Sequence, residues 1–477
     1  MATKKLKRSE TKSLVRSLEC TLEVVLLTVL YYIIWRNQYG FDGGPFPEYY
    51  FKGKYVLAGV YALIVILVFN NSDCFLFGQL RSIDIGIGQA IGLLIVNFIT
   101  YFQLCLIANK MITPVPMLVL LGVQLVLAVL LIFTYSRVYH KLYAPHRMVL
   151  IYGSDNAVGL KIKMDSRRDK YDIKKLISAD EGFEKITKEI VNYDAVIIND
   201  IPPQIRNDIL KFCYKNQLRA YVVPKISDVI IRGGNDIKLF DTPLVLVKGK
   251  GLNFLQRFFK RTVDIIISFI VTVITSPVML LVALAIKLED GGPVFFRQKR
   301  LTLNAREFEI LKFRSMIKDA EKFTGTVLAT ENDPRITKVG RLIRATRLDE
   351  LPQVLNILKG DMSIVGPRPE RKILADEFKK EMPEFDYRLK VKGGLTGFAQ
   401  IYGKYNTRPY DKLRLDMMYI ENYSLMLDFK LMLLTIRIIF SKDSTEGIDI
   451  AAENEKKTEE LLQNIKEEHI KEDAQNN

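Results

Sequence analysis

Histidine and cysteine are scarce in this sequence of 477 residues and absent from a long part of it. The chain has three histidines and four cysteines, and none of them lies between Gln256 and Gly447. This absence excludes Ser-His-Asp and Cys-His chemistry from that region, together with metal sites built from imidazole or thiolate. A reaction there has to use carboxylates, lysine and arginine, and a cation held by oxygen atoms, such as Mg²⁺, is one further option.

The chain is also poor in paired cysteines and in acidic residues relative to basic ones. No Cys-x-x-Cys pair occurs, so neither a disulfide framework nor a zinc site is indicated. The 54 acidic residues are outnumbered by 69 lysines and arginines, which gives a net charge of +15. Such a balance points to anionic partners, namely nucleic acid, acidic lipid or phosphorylated substrates.

Long apolar runs occupy the first third of the chain. They lie at about 18–35, 55–69, 85–109 and 116–136. Because roughly 20 apolar residues cross a hydrocarbon core, we predict a membrane protein with a basic N-terminus over 1–17 and four transmembrane helices over 18–147. Basic residues before the first run and after the fourth place both ends in the cytoplasm.

A pattern of strand, helix, strand, helix and strand follows, and it predicts a small Rossmann-like α/β domain over 148–247. Gly153 and Gly159 lie near the first and last glycines of a dinucleotide-binding fingerprint. However, Asp155 takes the middle position, where its side chain and its charge oppose a pyrophosphate. We therefore favour a regulatory or oligomerising role for this domain over cofactor binding, which stays open.

A fifth apolar stretch, 262–286, is long enough to cross a bilayer, and a fifth transmembrane helix is its simplest interpretation. Basic clusters flank both ends, so a crossing would carry one of them to the wrong side. Pro277 lacks an amide hydrogen, while Thr275 and Ser276 carry hydroxyls that can satisfy the freed backbone carbonyl. We predict a linker and a re-entrant membrane helix over 248–289, broken at Ser276 and Pro277.

The rest of the chain is a basic segment of mixed α/β pattern over 290–447, followed by a charged tail over 448–477. Its arginines and lysines are interleaved with aromatic residues, a pattern that is also typical of single-stranded nucleic acid binding. Because the segment follows an apolar hairpin at the membrane surface, phosphorylated small molecules and lipid phosphates are the better partners. We expect no nucleic acid.

Two adjacent acids, Asp349 and Glu350, lie among arginines in this segment. The apolar face of the helix expected to start here is formed by Leu348, Leu351, Val354, Leu355 and Leu358. The arginines and the helix N-terminus favour the ionised form of both carboxylates. An ionised carboxylate can attack phosphorus, and its neighbour can hold a cation. Taken alone, such a pair is more often an ordinary helix start with surface salt bridges.

The chain from about Phe258 to Gly447 resembles the bacterial sugar transferases, the monotopic phosphoglycosyl transferases. The stretches that carry the resemblance are GGPVFFRQKR from Gly291, FEILKFRSM from Phe308, LDELPQVLNILKGDMSIVGPRP from Leu348, GLTGFAQIYG from Gly394 and LDMMYIENYSLMLDFKLMLLT from Leu415, with the Ser276-Pro277 break. Several motifs in one order make the resemblance specific. The four spans and the α/β domain resemble the long-chain branch, which initiates polysaccharide assembly.

The resemblance implies a catalytic role for Asp349 and Glu350 in a phosphoglycosyl transferase domain over 290–447. Asp349 would attack the β-phosphate of a UDP-sugar and release UMP, and polyprenol (undecaprenyl) phosphate would then accept the sugar phosphate. Glu350 would assist, and Mg²⁺ would bind at Asp349 and Glu350. The implied substrate contacts are Lys312, Arg314, Arg344, Pro367, Arg368 and Pro369. The resemblance further implies a multi-pass protein of the bacterial cytoplasmic (inner) membrane with its catalytic domain on the cytoplasmic face, serving capsule, exopolysaccharide or O-antigen synthesis.

Two positions depart from the family pattern. Gly393 stands where the family often has proline, and Arg347 stands where a small or hydroxyl residue often precedes the acids; neither change removes the nucleophile.

Two rival hypotheses stay open. One is a membrane-anchored nucleotide-sugar epimerase or dehydratase, which predicts an intact glycine fingerprint and a Tyr-x-x-x-Lys pair in the α/β domain. The other is a non-enzymatic scaffold of polysaccharide assembly. A homodimer through the N-terminal half is also expected.

Overall fold

The computed structural model describes most of the chain. The described residues are 2–40, 44–46, 52–78, 80–153, 157–165, 167–238, 241–317, 333–403 and 407–439. The charged tail predicted at 448–477 lies outside them. The chain divides into two compact units, with the change from one to the other between Val223 and Pro224.

Four long apolar helices open the first unit. They are α1 (Ala2–Gln38), α2 (Gly53–Asn71), α3 (Ser82–Ala108) and α4 (Val115–Leu142). The segments long and apolar enough to cross a membrane are Leu14–Gln38, Gly53–Asn71, Ser82–Ala108 and Val115–Tyr139. This confirms the four predicted N-terminal segments. Between the helices, Gln124 donates a hydrogen bond to the Tyr61 hydroxyl (2.7 Å) and accepts one from Asn97 (2.8 Å), a buried polar chain that fixes their packing.

A parallel sheet follows in the same unit. Its strands are β1 (His146–Tyr152), β2 (Tyr171–Ser178), β3 (Ala195–Asn199) and β4 (Arg219–Val222), connected by α5 (Ala157–Asp165), α6 (Phe183–Ile190) and α7 (Pro203–Lys215). Val149 and Ile151 of β1 pack on the side of α6 and α7, and Met148 and Leu150 pack on the side of α5. The strand order is β2-β1-β3-β4. This is the order of flavodoxin-type sheets rather than the 3-2-1 order of a Rossmann half, so the parallel sheet is present but its Rossmann-like character is not confirmed.

The glycine turn after β1 has a structural reason. A side chain at Gly153 would place its Cβ 2.6 Å from the carbonyl oxygen of Asp200 and 3.0 Å from the Cα of Ile201. Glycine therefore lets the loop after β3 approach the end of β1, without any need for a bound phosphate. Asp155 lies outside the described residues.

The rival epimerase hypothesis needs a tyrosine and a lysine close together. Tyr171 and Lys175 have the Tyr-x-x-x-Lys spacing, but both lie on the extended strand β2, where four residues span about 13 Å. Lys175 instead forms an ion pair with Glu189 of α6, with 3.4 Å between Nζ and Oε1. These two residues therefore do not form the pair that the hypothesis requires.

The second unit opens with a short helix and a hairpin. These are α8 (Ile226–Arg232), β5 (Asn235–Ile237) and β6 (Leu244–Leu246). Ile226 and Val229 of α8 pack in one cluster with Val365 and Met417 from later in the chain. The parallel sheet thus ends well before the domain boundary predicted at 247.

Helix α9 (Phe254–Asp290) is a fifth helix long and apolar enough to cross a membrane. Pro277 lies inside it and leaves the carbonyl of Val273 without its usual amide donor. The hydroxyl of Ser276 donates to that carbonyl at 2.8 Å. The hydroxyl therefore acts as predicted, but it also allows the backbone to stay helical, so the break predicted at Ser276 and Pro277 is not a break in the helix.

A mixed α/β domain completes the unit, as predicted. Its strands are the antiparallel pair β7 (Phe295–Leu301) and β8 (Glu307–Phe313) and the parallel pair β9 (Ser363–Val365) and β10 (Gly394–Thr396). Its helices are α10 (Lys338–Ala345), α11 (Gln353–Lys359), α12 (Lys372–Glu381), α13 (Phe398–Tyr402), α14 (Pro409–Glu421) and α15 (Leu425–Ile439). The 3₁₀ turn Leu348–Glu350 lies between α10 and α11.

Candidate active site

The two adjacent acids lie in the 3₁₀ turn rather than in the helix that follows. Pro352 has no amide hydrogen for the Leu348 carbonyl, so the amide of Leu351 bonds to it instead, at 3.2 Å. Helix α11 begins only at Gln353. Its deepest apolar side chains are Val354 and Ile357. The predicted face was therefore only partly right, because Leu355 and Leu358 are half-buried.

The turn is anchored on both sides by leucine. Leu348 and Leu351 pack against a cluster that contains Val282 of α9 and Phe313 of β8. Arg347, just before the turn, has φ 56° and ψ 18°, a left-handed conformation that costs a residue with a side chain about 1–2 kcal/mol. The anchored leucines hold this conformation and leave the acids between them for polar contacts.

Glu350 is held by two cations. Lys312 Nζ lies 2.7 Å from its Oε1, and Arg368 Nη2 lies 2.9 Å from the same oxygen. Burial alone would raise the pKa of this carboxyl, but Arg368 and Lys312 outweigh it and hold the pKa well below its usual range. Glu350 is therefore a fixed negative charge, and it brings two predicted substrate residues together.

Asp349 has a different environment from its neighbour. It is half-buried, and no donor or cation in the described part of the chain forms a hydrogen bond or an ion pair with it. Burial raises the pKa of its carboxyl; Glu350 adds to the rise, while Lys312 and Arg344 oppose it. The expectation that the surroundings hold both carboxylates in the ionised form thus fits Glu350 only. Asp349 is more basic than an ordinary aspartate, and we call it uncommitted because no hydrogen bond or ion pair within the described residues holds it.

Arg368 projects from a rigid loop. Pro367 and Pro369 on either side are buried, while Arg368 itself is exposed. The backbone of the loop is tied to the segment around β10, because the Gly394 amide donates to the Pro367 carbonyl at 2.9 Å. The two prolines therefore fix the loop, and the arginine between them reaches the acids.

A buried ion pair behind this loop was missed in the sequence. Arg388 donates to the carbonyl of Arg368 (3.0 Å) and to Oδ2 of Asp416 (2.9 Å from Nε). Both charged side chains are almost fully buried. The available signal was Asp416 itself, an acid between apolar residues on the buried face of α14.

Asn356 of α11 was also missed. Its Oδ1 accepts the Leu311 amide (2.9 Å), and its Nδ2 donates to the Glu309 carbonyl (2.7 Å). One buried amide thus ties the strand that carries Lys312 to the helix that follows the acids. A polar residue within an apolar helix face was the signal that could have found it.

The other two predicted arginines do not contact the acids. Arg344, on α10, is half-buried and acts on Asp349 only through its charge. Arg314 is buried and forms an ion pair with Asp290 at the end of α9. Arg314 can reach Asp290 because Gly292 has no side chain: a Cβ at Gly292 would lie 1.9 Å from Arg314 Nη1.

Comparison with known proteins matches residues 255–442 to the family model described as bacterial sugar transferase. A UDP-N-acetylgalactosamine-undecaprenyl-phosphate N-acetylgalactosaminephosphotransferase of Aeromonas hydrophila is 37% identical over 257 residues, 53% of this chain and 60% of the relative. A UDP-glucose:undecaprenyl-phosphate glucose-1-phosphate transferase of Caulobacter vibrioides is 40% identical over 190 residues, which cover 39% of this chain and 71% of the relative. An undecaprenyl-phosphate galactose phosphotransferase of Salmonella typhimurium is 38% identical over 206 residues, which cover 39% of this chain and 42% of the relative.

The chain spans about half the length of most of the curated relatives it matches. The Caulobacter protein is covered over more than two thirds of its length. The matched region contains α9 except for its first residue, the turn with Asp349 and Glu350, and the loop with Arg368. On this match, and on a site in which the motif residues come together, the chain belongs to the bacterial sugar transferase family.

Proposed function

We propose that this protein transfers a sugar 1-phosphate from a UDP-sugar to polyprenol phosphate through a covalent intermediate on Asp349, with release of UMP. The names of the relatives describe transfer of N-acetylgalactosamine phosphate, glucose 1-phosphate or galactose phosphate to undecaprenyl phosphate. The observation that carries the proposal is the unequal pairing of the two acids. Glu350 is fixed by two cations, and Asp349 has no such contact within the described residues.

The first step uses the uncommitted carboxylate as nucleophile. An oxygen of Asp349 attacks the β-phosphorus of the UDP-sugar, a new P–O bond forms, and the bond from that phosphorus to the bridging oxygen breaks. The electron pair of the broken bond leaves with UMP. Lys312, Arg344 and Arg368 surround the acids with positive charge, which stabilises the charge that develops on the phosphate oxygens.

The second step regenerates the carboxylate. A phosphate oxygen of polyprenol phosphate attacks the same phosphorus, the bond to Asp349 breaks, and a polyprenyl diphosphosugar leaves. A phosphate monoester has a second pKa near 6, so at neutral pH the acceptor is mostly a dianion and needs little help from a base. Glu350 stays ionised through both steps and keeps Lys312 and Arg368 oriented.

The acids also fit a Mg²⁺ ion that substrate helps to hold. Among the residues that the structure describes, no group of three or more histidine, cysteine or acidic side chains is arranged so that it could hold a metal ion by itself. Two adjacent carboxylates, Asp349 and Glu350, are nevertheless the usual protein share of a Mg²⁺ site that phosphate oxygens complete. When bound, the ion would neutralise the charge of the diphosphate.

We further propose that α9 bends at Pro277 while its backbone stays helical, so that it enters the membrane from one face and returns to it. Near its start, Arg261 donates to the carbonyls of Ile357 and Leu358, at 2.5 and 2.7 Å, and Lys260 forms a buried ion pair with Asp428 (2.6 Å). Near its end, Val282 packs under the turn that carries the acids. Both ends of the helix therefore dock on the same folded domain.

The part of α9 between its two docked ends, which we call its free middle, is too short to cross a bilayer. Ser268 and Val282 are buried, and about 13 residues lie between them. At 1.5 Å per residue these cover about 20 Å, less than the roughly 30 Å of a hydrocarbon core. The exposed apolar side chains of this middle part would enter one leaflet, with the catalytic domain on the cytoplasmic face of the bacterial inner membrane, as the positive-inside bias favours.

The experiment that tests the activity measures UMP and the protein adduct together. The full chain in membranes receives a panel of UDP-sugars with Mg²⁺, first without and then with polyprenol phosphate. We expect one sugar to give UMP, and donor alone to add the mass of a sugar phosphate to the peptide that contains Asp349. Asp349→Ala should abolish both signals, and Asp376→Ala, at an exposed position on α12, should leave both unchanged.

Two results would contradict the proposal. UMP release that survives Asp349→Ala with an unchanged lipid product would refute the nucleophile. Folded protein that releases no UMP from any UDP-sugar in the panel would favour the scaffold hypothesis. The initiating role in polysaccharide synthesis and the homodimer stay predictions.

A further inference from the structure

A cavity of about 310 Å³ lies inside the first unit, at neighbouring ends of two apolar helices. Ser82 and Ile85 come from the first turn of α3, and Tyr135 and Tyr139 come from the last turns of α4. Both helices are long and apolar enough to cross a membrane. The cavity therefore lies where the hydrocarbon region ends and the polar boundary begins.

The lining of the cavity combines apolar and polar residues. The apolar part is formed by Phe77, Leu80, Ile85, Ile132 and Tyr135. The polar part is formed by Arg81, Ser82, Ser136, Arg167 and Asp169. An amphipathic ligand satisfies both parts at once, whereas a free ion would leave the apolar walls facing water.

The residues that line the cavity are positive on balance. Arg81 and Arg167 are cations, and Asp169 is the one acid among the lining residues. Arg167 forms a two-point ion pair with Asp169 (2.9 and 3.0 Å), which fixes the position of its guanidinium.

The walls of the cavity are preformed. Gly78 has φ 68°, and a Cβ there would lie 2.3 Å from the ring of Tyr139, so the connection before α3 is fitted closely to α4. The rings of Phe77 and Tyr135 meet edge to face, with 5.1 Å between centroids. Ser82 donates a hydrogen bond to Ser136 at 3.2 Å. Little ordering is needed before a ligand enters.

We propose that this cavity binds the phosphate head group of an anionic membrane lipid, with the phosphate on the side of Arg81 and Arg167 and the chains directed into the bilayer. The volume equals that of about ten water molecules, which suits a phosphodiester head group. Charge-assisted hydrogen bonds from arginine favour phosphate. The proposal uses none of the residues around Asp349, so it stands or fails independently of the transferase activity.

The test uses the full chain in nanodiscs made of phosphatidylcholine with and without phosphatidylglycerol. Native mass spectrometry counts the lipids that stay bound, and the melting temperature is measured in the same samples and with inorganic phosphate added to phosphatidylcholine discs. Arg81→Gln removes the cation at an exposed position, and Ser136→Phe fills the cavity. The matched control is Arg137→Gln, an exposed arginine that stacks on Phe133 and does not line the cavity.

We expect retained phosphatidylglycerol to fall about tenfold in Arg81→Gln and Ser136→Phe, the loss that corresponds to one charge-assisted hydrogen bond, and to stay unchanged in Arg137→Gln. Equal retention in Arg81→Gln and the unaltered protein would overturn the proposal. So would equal retention of phosphatidylcholine, or inorganic phosphate that raises the melting temperature as much as phosphatidylglycerol does. Should Ser136→Phe fail to fold, the exposed Arg81 variant alone decides the outcome.

Discussion

The guanidinium of Arg388 donates a hydrogen bond to the main-chain carbonyl of Arg368, with 3.0 Å between Nη2 and the oxygen. Arg388 is itself held by Asp416, and both side chains are almost fully buried. Arg368 in turn contacts Glu350. A buried ion pair thus positions a cation of the site without contacting substrate.

The first prediction concerns this positioning. Lysine at position 388 keeps the charge but cannot bond to Asp416 and the Arg368 carbonyl through one planar fork. We expect Arg388→Lys to lower kcat/KM for UMP release by about 10- to 100-fold, the usual effect of a small misplacement. Arg341→Lys, at an exposed position on α10, is the control and should change nothing.

A double variant separates positioning from a general structural effect. If Arg388 acts through Arg368, then Arg388→Lys combined with Arg368→Met should be no slower than Arg368→Met alone. Independent, multiplying losses in the double variant would show that Arg388 acts by another route. Melting temperatures of all variants check that the fold is retained.

The second prediction concerns pH. Burial raises the pKa of Asp349, and attack on phosphorus requires its ionised form. The rate of adduct formation should therefore fall as the pH decreases through this pKa, at a higher pH than for an ordinary aspartate. Glu350 contributes nothing to this fall, because its pKa lies well below the usual range.

Arg344 provides the matched variant for the pH profile. Its charge lowers the pKa of Asp349, so Arg344→Gln should raise that pKa and move the acidic limb to higher pH. The measurement is the pH dependence of the UMP burst with donor alone, and Arg341→Gln should leave the limb in place. A limb that stays or moves to lower pH in Arg344→Gln would show that another group controls it.

The third prediction concerns Gly393, where the family often has proline. Its amide donates to the buried hydroxyl of Thr302 at 3.1 Å, and a Cβ at this position would lie 2.5 Å from Cγ of Pro369. Proline would lose the hydrogen bond and press on the Arg368 loop. We expect Gly393→Pro to cost about 2–4 kcal/mol of stability and to lower the melting temperature of the full chain.

Gly122 offers the control for this substitution. It lies in α4 with open space around its Cβ direction, so Gly122→Ala should not lower the melting temperature. Thr302→Val, which removes only the hydroxyl, should account for part of the loss at Gly393. An unchanged melting temperature in Gly393→Pro would show that the hydrogen bond and the close contact are both dispensable.

The fourth prediction concerns the direction of α9. In a background without the four native cysteines, Arg257→Cys and Lys287→Cys should both react with an impermeant thiol reagent only from the cytoplasmic side. Both positions are exposed, and the short free middle of the helix keeps its two ends on one face. Lys110→Cys, in the turn between α3 and α4, is the control and should react from outside. Labelling of either end of α9 from outside would make it a transmembrane helix.

Local patterns were enough to predict much of this protein. The four N-terminal helices follow from the number of consecutive apolar residues, because the thickness of the hydrocarbon core sets that number directly. The hydroxyl of Ser276 opposite the carbonyl that Pro277 frees is likewise a short-range relation within one helix. The two acids were found because several motifs occur in one order along the chain.

The roles of the side chains around those acids depended on contacts between distant segments. Asp349 and Glu350 are neighbours with the same local charge pattern, yet Lys312 and Arg368 both contact Glu350 and leave Asp349 uncommitted. Lys312 and Arg314 lie two positions apart, and only one of them contacts the acids. Ion pairs depend on distances between strands, loops and helices that come together only in the folded chain. The length of apolar segments and the order of motifs, in contrast, are properties of the sequence itself.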